Sequence, residues 1–326
     1  MNRRTFIAGL GAATTWPLAA RAQQGGVVTI GMLFTGTRDE QNYTLPDFFK
    51  GLREMGFVDG RNLAVEYRYA DDRYDQLPAL ANDLVQRRVA VIRTGGGDVA
   101  AQVAKAATTN IPIIFHTGGD PVEAGLLANF NHPGGNVTGI SFMNVALAGK
   151  RLGLLRELVP SASRFAMLVN PGSSVAVQIA DAQAVADILG QQIKIFTATT
   201  NDEIDTAFAE MAQWRAEALL IGSGPLFASR GARQLATLAI RHALPAIQYT
   251  REFVEVGGLA SYGSNIHDTN RLAGIYVGRV LKGEKPSDLP VMQPTRFELL
   301  LNLATAKAIG LDIPPTMLAL ADDVIE

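Results

Sequence analysis

The chain contains no cysteine. That excludes a disulfide framework, thiolate metal sites, a cysteine nucleophile and a lipidated N-terminal cysteine. Histidine is scarce as well. His116, His132, His242 and His267 are the full set, and no two stand at metal-ligand spacing. No metal and no cofactor are therefore expected. Basic runs are missing, with 29 Lys and Arg against 31 Asp and Glu. Nucleic acid and anionic membrane surfaces are poor partners for such a chain. The dinucleotide fingerprint G-x-G-x-x-G, the phosphate loop G-x-x-x-x-G-K-[ST] and the nucleophile elbow G-x-S-x-G are all absent from the loops that would hold them.

What is present is an ordinary globular composition of 48% hydrophobic and 18% charged residues over 326 positions, enough for two domains. The start, MNRRTFIAGLGAATTWPLAARAQQ, stands apart. Arg3-Arg4 is a positive n-region, the apolar run after it is short and glycine-rich for a membrane span, and Ala20-Arg21-Ala22 is a small-x-small cleavage site. The arginine pair before Thr5-Phe6-Ile7 fits a twin-arginine export signal. Residues 1–22 are thus expected to be removed, leaving a periplasmic protein without a membrane anchor. That loses three of the 29 basic residues and no acid, so the mature chain carries a formal charge of −5.

From residue 27 onward, apolar runs alternate with helical patterns. VVTIGMLF, NLAVEYRYA, VAVIRT, IPIIF and NVTGISF read as strands. PDFFKGLREMG, LPALANDLVQRR, GDVAAQVAKAATTN and PVEAGLLANF read as helices between them. The second half repeats the plan, with strands RFAMLVN, IKIFTAT, EALLIG, LPAIQY and GGLASYG. Then come a helix over 267–286, strands LPVMQP and FELLLN, a helix ATAKAIGL and a polar tail. Such alternation means parallel sheets covered on both faces. IPIIFHTGGDPVEAGL and LPAIQYTREFVEVGGL also share five identities at one offset, among them Ile114/Ile247 and Thr117/Thr250. The expectation is two similar doubly wound α/β lobes. The closing elements, too few for a third domain, return to sheets begun earlier.

Ligands of parallel sheets bind beyond the carboxyl ends of the strands. The residues there are Thr35, the run Thr94, Gly95, Gly96, Gly97 and Asp98, and His116 and Thr117 leading to Asp120. In the second half they are Asn170, Ser173, Ser174, Ser223, Tyr249 and Thr250. Asp98, Asp120 and Ser173 or Ser174 also stand where helix N-caps belong, so capping competes with ligand contact for each. The helix starts together offer unpaired N–H groups to a carboxylate. His116 reads as a ligand contact or a structural residue before a catalytic base.

Longer segments resemble a known family: GLREMGFVDGRNLAVEYRYADDRYDQLPALANDLV, AATTNIPIIFHTGGDPVEAGLLANFNHPGGNVTGISF, KRLGLLRELVP and GIYVGRVLKGEKPSDLPVMQPTRFELLLNLATAKAIGL. The chain resembles, over essentially its whole length, the ABC transporter substrate-binding proteins related to the tryptophan-binding type. The resemblance implies the type I periplasmic binding fold, two lobes joined by three crossover segments around a cleft. It places lobe 1 at 27–140 plus 265–290 and lobe 2 at 143–261 plus 297–326, with crossovers near 138–142, 261–265 and 291–296. It also implies capture of an amino acid, aromatic or otherwise, or a similar small carboxylate by hinge closure. The partner is then a membrane permease with its ATPase, and the protein a monomer. On that reading Thr94 to Gly97 with Ser173 and Ser174 take a carboxylate, and Asp120 takes an ammonium. Tyr69, Tyr249 and Tyr262 form a stacking wall. With only Arg38 and Arg251 basic near these loops, a zwitterion is expected over a multiply charged anion. The competing readings are a periplasmic sensor of the same fold, and an exported hydrolase or isomerase working through His116 and Asp120.

Overall fold

The computed structural model of the chain describes residues 26–326 apart from 172, 173 and 229, so the segment expected to be an export signal and Ser173 lie outside the described residues. Twelve strands are present among them. β1 to β5 are Val28–Phe34, Leu63–Tyr69, Ile92–Gly95, Ile113–Thr117 and Val137–Ser141. β6 to β10 are Arg164–Val169, Gln192–Thr197, Ala218–Ile221, Ala246–Gln248 and Ala260–Ser264. β11 and β12 are Phe297–Asn302 and Asp323–Ile325.

The first sheet has the order β2-β1-β3-β4-β5 and is parallel throughout. The second, read from its other edge, runs β7-β6-β8-β9-β10-β11-β12. Its first five strands repeat the order of the first sheet. The two segments that echo one another in sequence contain β4 and β9, which hold equivalent places in the two sheets. β11 departs from the parallel expectation by running antiparallel to β10, while β12 returns parallel to β11.

Both sheets are covered on both faces. In β1, Ile30, Met32 and Phe34 join one buried cluster with Phe48 and Val277, and Leu33 joins another with Leu84 and Ala101. A strand with two buried faces has to be apolar at nearly every position, which is why VVTIGMLF shows no polar alternation. In the second lobe Phe165, Met167 and Val169 pack with Leu152 and Leu155, whereas Ala166 and Leu168 pack with Phe208 and Leu235.

The chain leaves the first sheet after β5 and enters the helix Ala148–Leu158 of the second lobe. It comes back between β10 and the helix Ile266–Leu281, which packs on the helix Leu45–Glu54, and leaves again between Met292 and β11. The first passage lies slightly later than 138–142, because Thr138 to Ser141 still pair with β4.

Three local expectations are corrected. PVEAGLLANF forms turns in place of a helix. Asp120 Oδ1 accepts from Val122 and Glu123 N–H, and Leu126 N–H closes on the Pro121 carbonyl with Gly125 at φ +69°. A left-handed glycine at this point keeps the turns from propagating into a helix. LPVMQP contributes a single bridge, Met292 to Ile140, in place of a strand. The polar tail holds the helix Pro315–Leu320 and β12, which adds its edge to β11 where polarity on one side is tolerated.

Candidate functional site

In each sheet the strand order reverses at one point, between β1 and β3 in the first and between β6 and β8 in the second. Loops diverge from such a point and leave a crevice at the carboxyl ends. The two crevices face one another across a cavity of about 190 Å³. Thr35, Gly36, Gly95, Gly96, Gly97 and Asp98 line it from the first lobe, and Asn170, Pro171, Ser174, Ser223 and Gly224 from the second.

The first wall depends on its glycines. Gly96 has φ +88°, and a Cβ there would collide with the Thr35 side chain, whose Oγ1 donates to the Gly96 carbonyl at 2.8 Å. A Cβ on Gly95 would lie 2.5 Å from Nη1 of Arg93. Only glycine lets both loops and the guanidinium share this space. Gly97 is the N-cap of the helix Asp98–Ala107, so Asp98 does not cap it. Asp98 is buried instead and accepts a hydrogen bond from the Thr117 hydroxyl. Ser174 sits at the N-cap of the helix Val175–Leu189 without a side-chain cap bond.

His116 is 5% exposed, and its ring lies 4.7 Å from that of Phe142. Its Nε2 is 3.0 Å from Thr269 Oγ1, and that hydroxyl donates to the Ile266 carbonyl. The network therefore assigns the proton to Nε2 of His116. Burial, reinforced by the Arg93 charge, holds the imidazole well below its usual range, so it is neutral at pH 7. Arg93 lies one residue before the loop, inside β3, and is 2% exposed. Its Nη2 donates to Asn270 Oδ1 at 2.8 Å, and its guanidinium carbon stands 4.9 Å from the Phe34 ring and 5.5 Å from the Phe48 ring. Burial pulls this group down to about 10, still a cation at neutral pH.

Of the residues expected from sequence, Thr35, Gly95, Gly96, Gly97, His116, Thr117, Asn170, Ser174, Ser223 and Tyr249 come together around the cavity. Thr94 is fully buried behind it. Asp120 is exposed, with its carboxylate engaged by the turn, and lines an adjoining hollow of about 260 Å³ that shares Asp98, Gly118 and Gly119 with the main cavity. Tyr69 stacks on Phe34 at 5.2 Å, and Tyr262 tilts against Phe297 at 6.2 Å; neither reaches the cavity. The aromatic wall is built from Tyr43, Tyr74 and Phe142 with Tyr249. Sequence reasoning missed Tyr43, Tyr74, Arg93 and Asn270, and left Asp98 between a helix cap and a ligand contact. A lone arginine in the apolar run VAVIRT was the one available signal, because an unpaired charge in a buried strand is costly.

Two further features span the lobes. The Tyr43 hydroxyl donates to Glu255 Oε2 at 2.8 Å across the cleft mouth, and Arg251 bridges Glu255 to Asp323 at 2.8 and 2.5 Å. At the other end, Asn144 Oδ1 accepts from Ser264 N–H at 3.1 Å, joining two crossovers. The Asn144 carbonyl accepts from the buried Arg151 at 2.9 Å. Among the described residues no cluster of His, Asp or Glu could hold a metal ion, and no helix is long and apolar enough to cross a membrane.

Comparison with known proteins agrees with this geometry. Residues 38–325 match the family model described as ABC transporter substrate binding protein. A tyrosine-binding protein of Clostridioides difficile is 26% identical over 266 residues, covering 81% of this chain and 75% of the relative. The crystal structure of an ABC domain in complex with L-Trp from Streptococcus pneumonia superposes with a TM-score of 0.82 at 25% identity, covering 91% of this chain and 99% of that one. A conserved domain protein from Vibrio cholerae has the same fold at a TM-score of 0.82 and 24% identity, covering 91% and 99% of the two chains. A two-lobed type I periplasmic binding fold, a cleft lined from both lobes and a family match over most of the sequence lead to one conclusion: the chain belongs to the ABC transporter substrate binding protein family.

Proposed function

We propose that this protein is the periplasmic solute receptor of an ABC importer, and that it captures an amino acid with an aromatic side chain for a membrane permease and its ATPase. The observation that carries the reading is the interlobe cavity, which Tyr43, Tyr74, Phe142 and Tyr249 line together with the buried Asp98. Rings supply a flat apolar slot, and a buried acid supplies the partner for an ammonium. Asp98, rather than Asp120, is the ammonium partner on this reading. The lobes are hinged at the three crossovers, and closure brings Ser174, Ser223 and Tyr249 onto a ligand seated against the first lobe. The relatives described as tyrosine-binding and as complexed with L-Trp support an aromatic ligand.

Binding occurs without turnover. His116 and Asp120, the pair an exported hydrolase would use, share no hydrogen bond, since His116 is committed to Thr269 and Asp120 to its own turn. Residues 1–22 direct export and are removed.

The test is calorimetry and thermal shift on residues 23–326, refolded from denaturant to strip carried-over ligand. The panel is tyrosine, tryptophan, phenylalanine, leucine and benzoate. A ligand at about 100 times its dissociation constant raises stability by about 2.7 kcal/mol. Tyrosine or tryptophan is expected to bind best. Asp98→Asn is expected to weaken that ligand by about 10- to 100-fold, the range of a charge-assisted bond, while Asp120→Asn leaves it within about threefold. A flat response to all aromatic amino acids by the folded protein, or an Asp120 effect larger than that of Asp98, overturns the reading.

A further inference from the structure

A buried arginine normally has a carboxylate beside it, because desolvating a guanidinium costs several kcal/mol that only a close partner offsets. Arg93 has none. It is 2% exposed, it forms no ion pair with any described residue, and two of its nitrogens, Nε and Nη1, make no hydrogen bond. Its remaining contacts are the amide oxygen of Asn270 and two phenyl faces. Natural cores leave few buried donors unmade, and the exceptions concentrate at functional sites.

The orphaned edge has a direction. Nη1 runs alongside Gly95, where even a Cβ would crowd it, and Gly95, Arg93 and Asn270 all line the cavity. Asn270 holds one end of the fork through Nη2, and the two aromatic rings fix its plane. Arg93 as a residue lines the cavity, while Nε and Nη1 are closed off from solvent and so lack even a water partner. Nη1 carries two unused hydrogens and Nη2 a second one beside that given to Asn270, so the end of the guanidinium has donors for both oxygens of a carboxylate.

We propose that Arg93 is the carboxylate anchor of the cleft and that it restricts the ligand to monocarboxylates. The inference rests on the reading of the cavity as the ligand site, and it adds the chemical class. One guanidinium charge is available at the floor, and the other charged groups lining the cavity, Asp98 and Glu252, are acidic. A second carboxylate on the ligand would meet repulsion there. An α-ammonium would meet Asp98.

A purely structural arginine and an anchor behave differently when the charge is deleted. Arg93→Met keeps the length of the side chain and its contact with Phe34 and Phe48. For an anchor, the ligand-free protein melts at the wild-type temperature or above, because an unpaired buried charge has been removed. Affinity for tyrosine and tryptophan falls at least 100-fold, while binding of tyramine and tryptamine, which lack the carboxylate, changes less than threefold. Arg93→Lys, which retains charge without the fork, falls between and serves if Arg93→Met does not fold.

Sodium formate against sodium chloride at equal ionic strength supplies a probe independent of the ligand's side chain. Formate raises the wild-type melting temperature and leaves that of Arg93→Met unmoved. If formate discriminates while neither aromatic amino acid binds the wild type, the anchor stands and the aromatic assignment falls. Arg93→Met or Arg93→Lys binding tyrosine within threefold of wild type, or responding to formate as wild type does, overturns the proposal.

Discussion

His116 is a neutral imidazole because of where β4 ends. Its ring is enclosed between Phe142 and Thr269, and the Arg93 cation opposes a second positive charge nearby. The consequence for stability has a definite sign. The folded value lies below the unfolded value of about 6.5, so the unfolded chain takes up the proton first as pH falls. Stability is full above that value and declines below it. Between pH 6.5 and 5.5 this one group removes about 1 kcal/mol. Melting temperatures measured over pH 5 to 8 are expected to fall on the acid side, and His116→Gln is expected to flatten that fall. An unchanged acid slope in the variant would show that the ring does not carry it. Sequence placed His116 at the cleft through its position after an apolar run. Its tautomer comes from Thr269, 153 residues away, and its neutrality from burial and the Arg93 cation.

At the scale of elements, the helix Ile266–Leu281 does most to organise the site. It carries Thr269 and Asn270, the partners of His116 and Arg93. It is held by backbone contact with the helix Leu45–Glu54. A Cβ on Gly274 would strike the Phe48 carbonyl, and one on Gly51 would strike that of Arg271. Glycines on both sides let the two helices approach more closely than any side chain allows. Gly274→Ala is expected to cost about 1–3 kcal/mol by overpacking and to weaken ligand binding as Asn270 shifts. Gly153→Ala is the contrasting change. That site is a helix interior with open space around it, and alanine is expected to stabilise by about 0.5–1 kcal/mol. Urea unfolding of both variants gives the comparison. The amphipathic pattern over 267–286 was legible in the sequence, but the contact with 45–54 was not. Periodicity reports which face is apolar and says nothing of which helix meets it.

For the whole molecule, the lobes meet at two ends of the cleft. Asn144 and Arg151 tie the crossovers at the hinge end, while Tyr43 and Glu255 meet at the mouth. The mouth contact forms only when the lobes are together, so it acts on ligand release. Removing the hydroxyl in Tyr43→Phe forfeits about 0.5–1.5 kcal/mol, which appears as a dissociation rate faster by about 2- to 10-fold. Tyr43 also lines the cavity, so Glu255→Gln is needed beside it. The two changes are expected to be non-additive in stopped-flow dissociation, because they break one bond. Additive effects, or an unchanged rate in both, would mean that the contact does not hold the cleft shut.

Alternating apolar runs and helical periods determined by themselves that the chain builds parallel sheets covered on both faces. The polar residues after each run determined which loops gather at the interlobe cavity. Thr35, Gly95 to Gly97, Thr117, Asn170 and Ser223 were legible for that reason, since strand ends in a parallel sheet all open to one side. Only tertiary structure decided the chemistry. Arg93 sits inside a strand, Tyr43 in a turn, Tyr74 at the start of a single 3-10 turn, and Asn270 on a helix that returns from the other lobe. Asp98 and Asp120 look alike in sequence, each in a glycine-rich turn before a helical pattern. One turns inward to Thr117 and the other outward to its own backbone. Direction and pairing across two lobes depend on packing between residues far apart in the chain, and no local pattern encodes that.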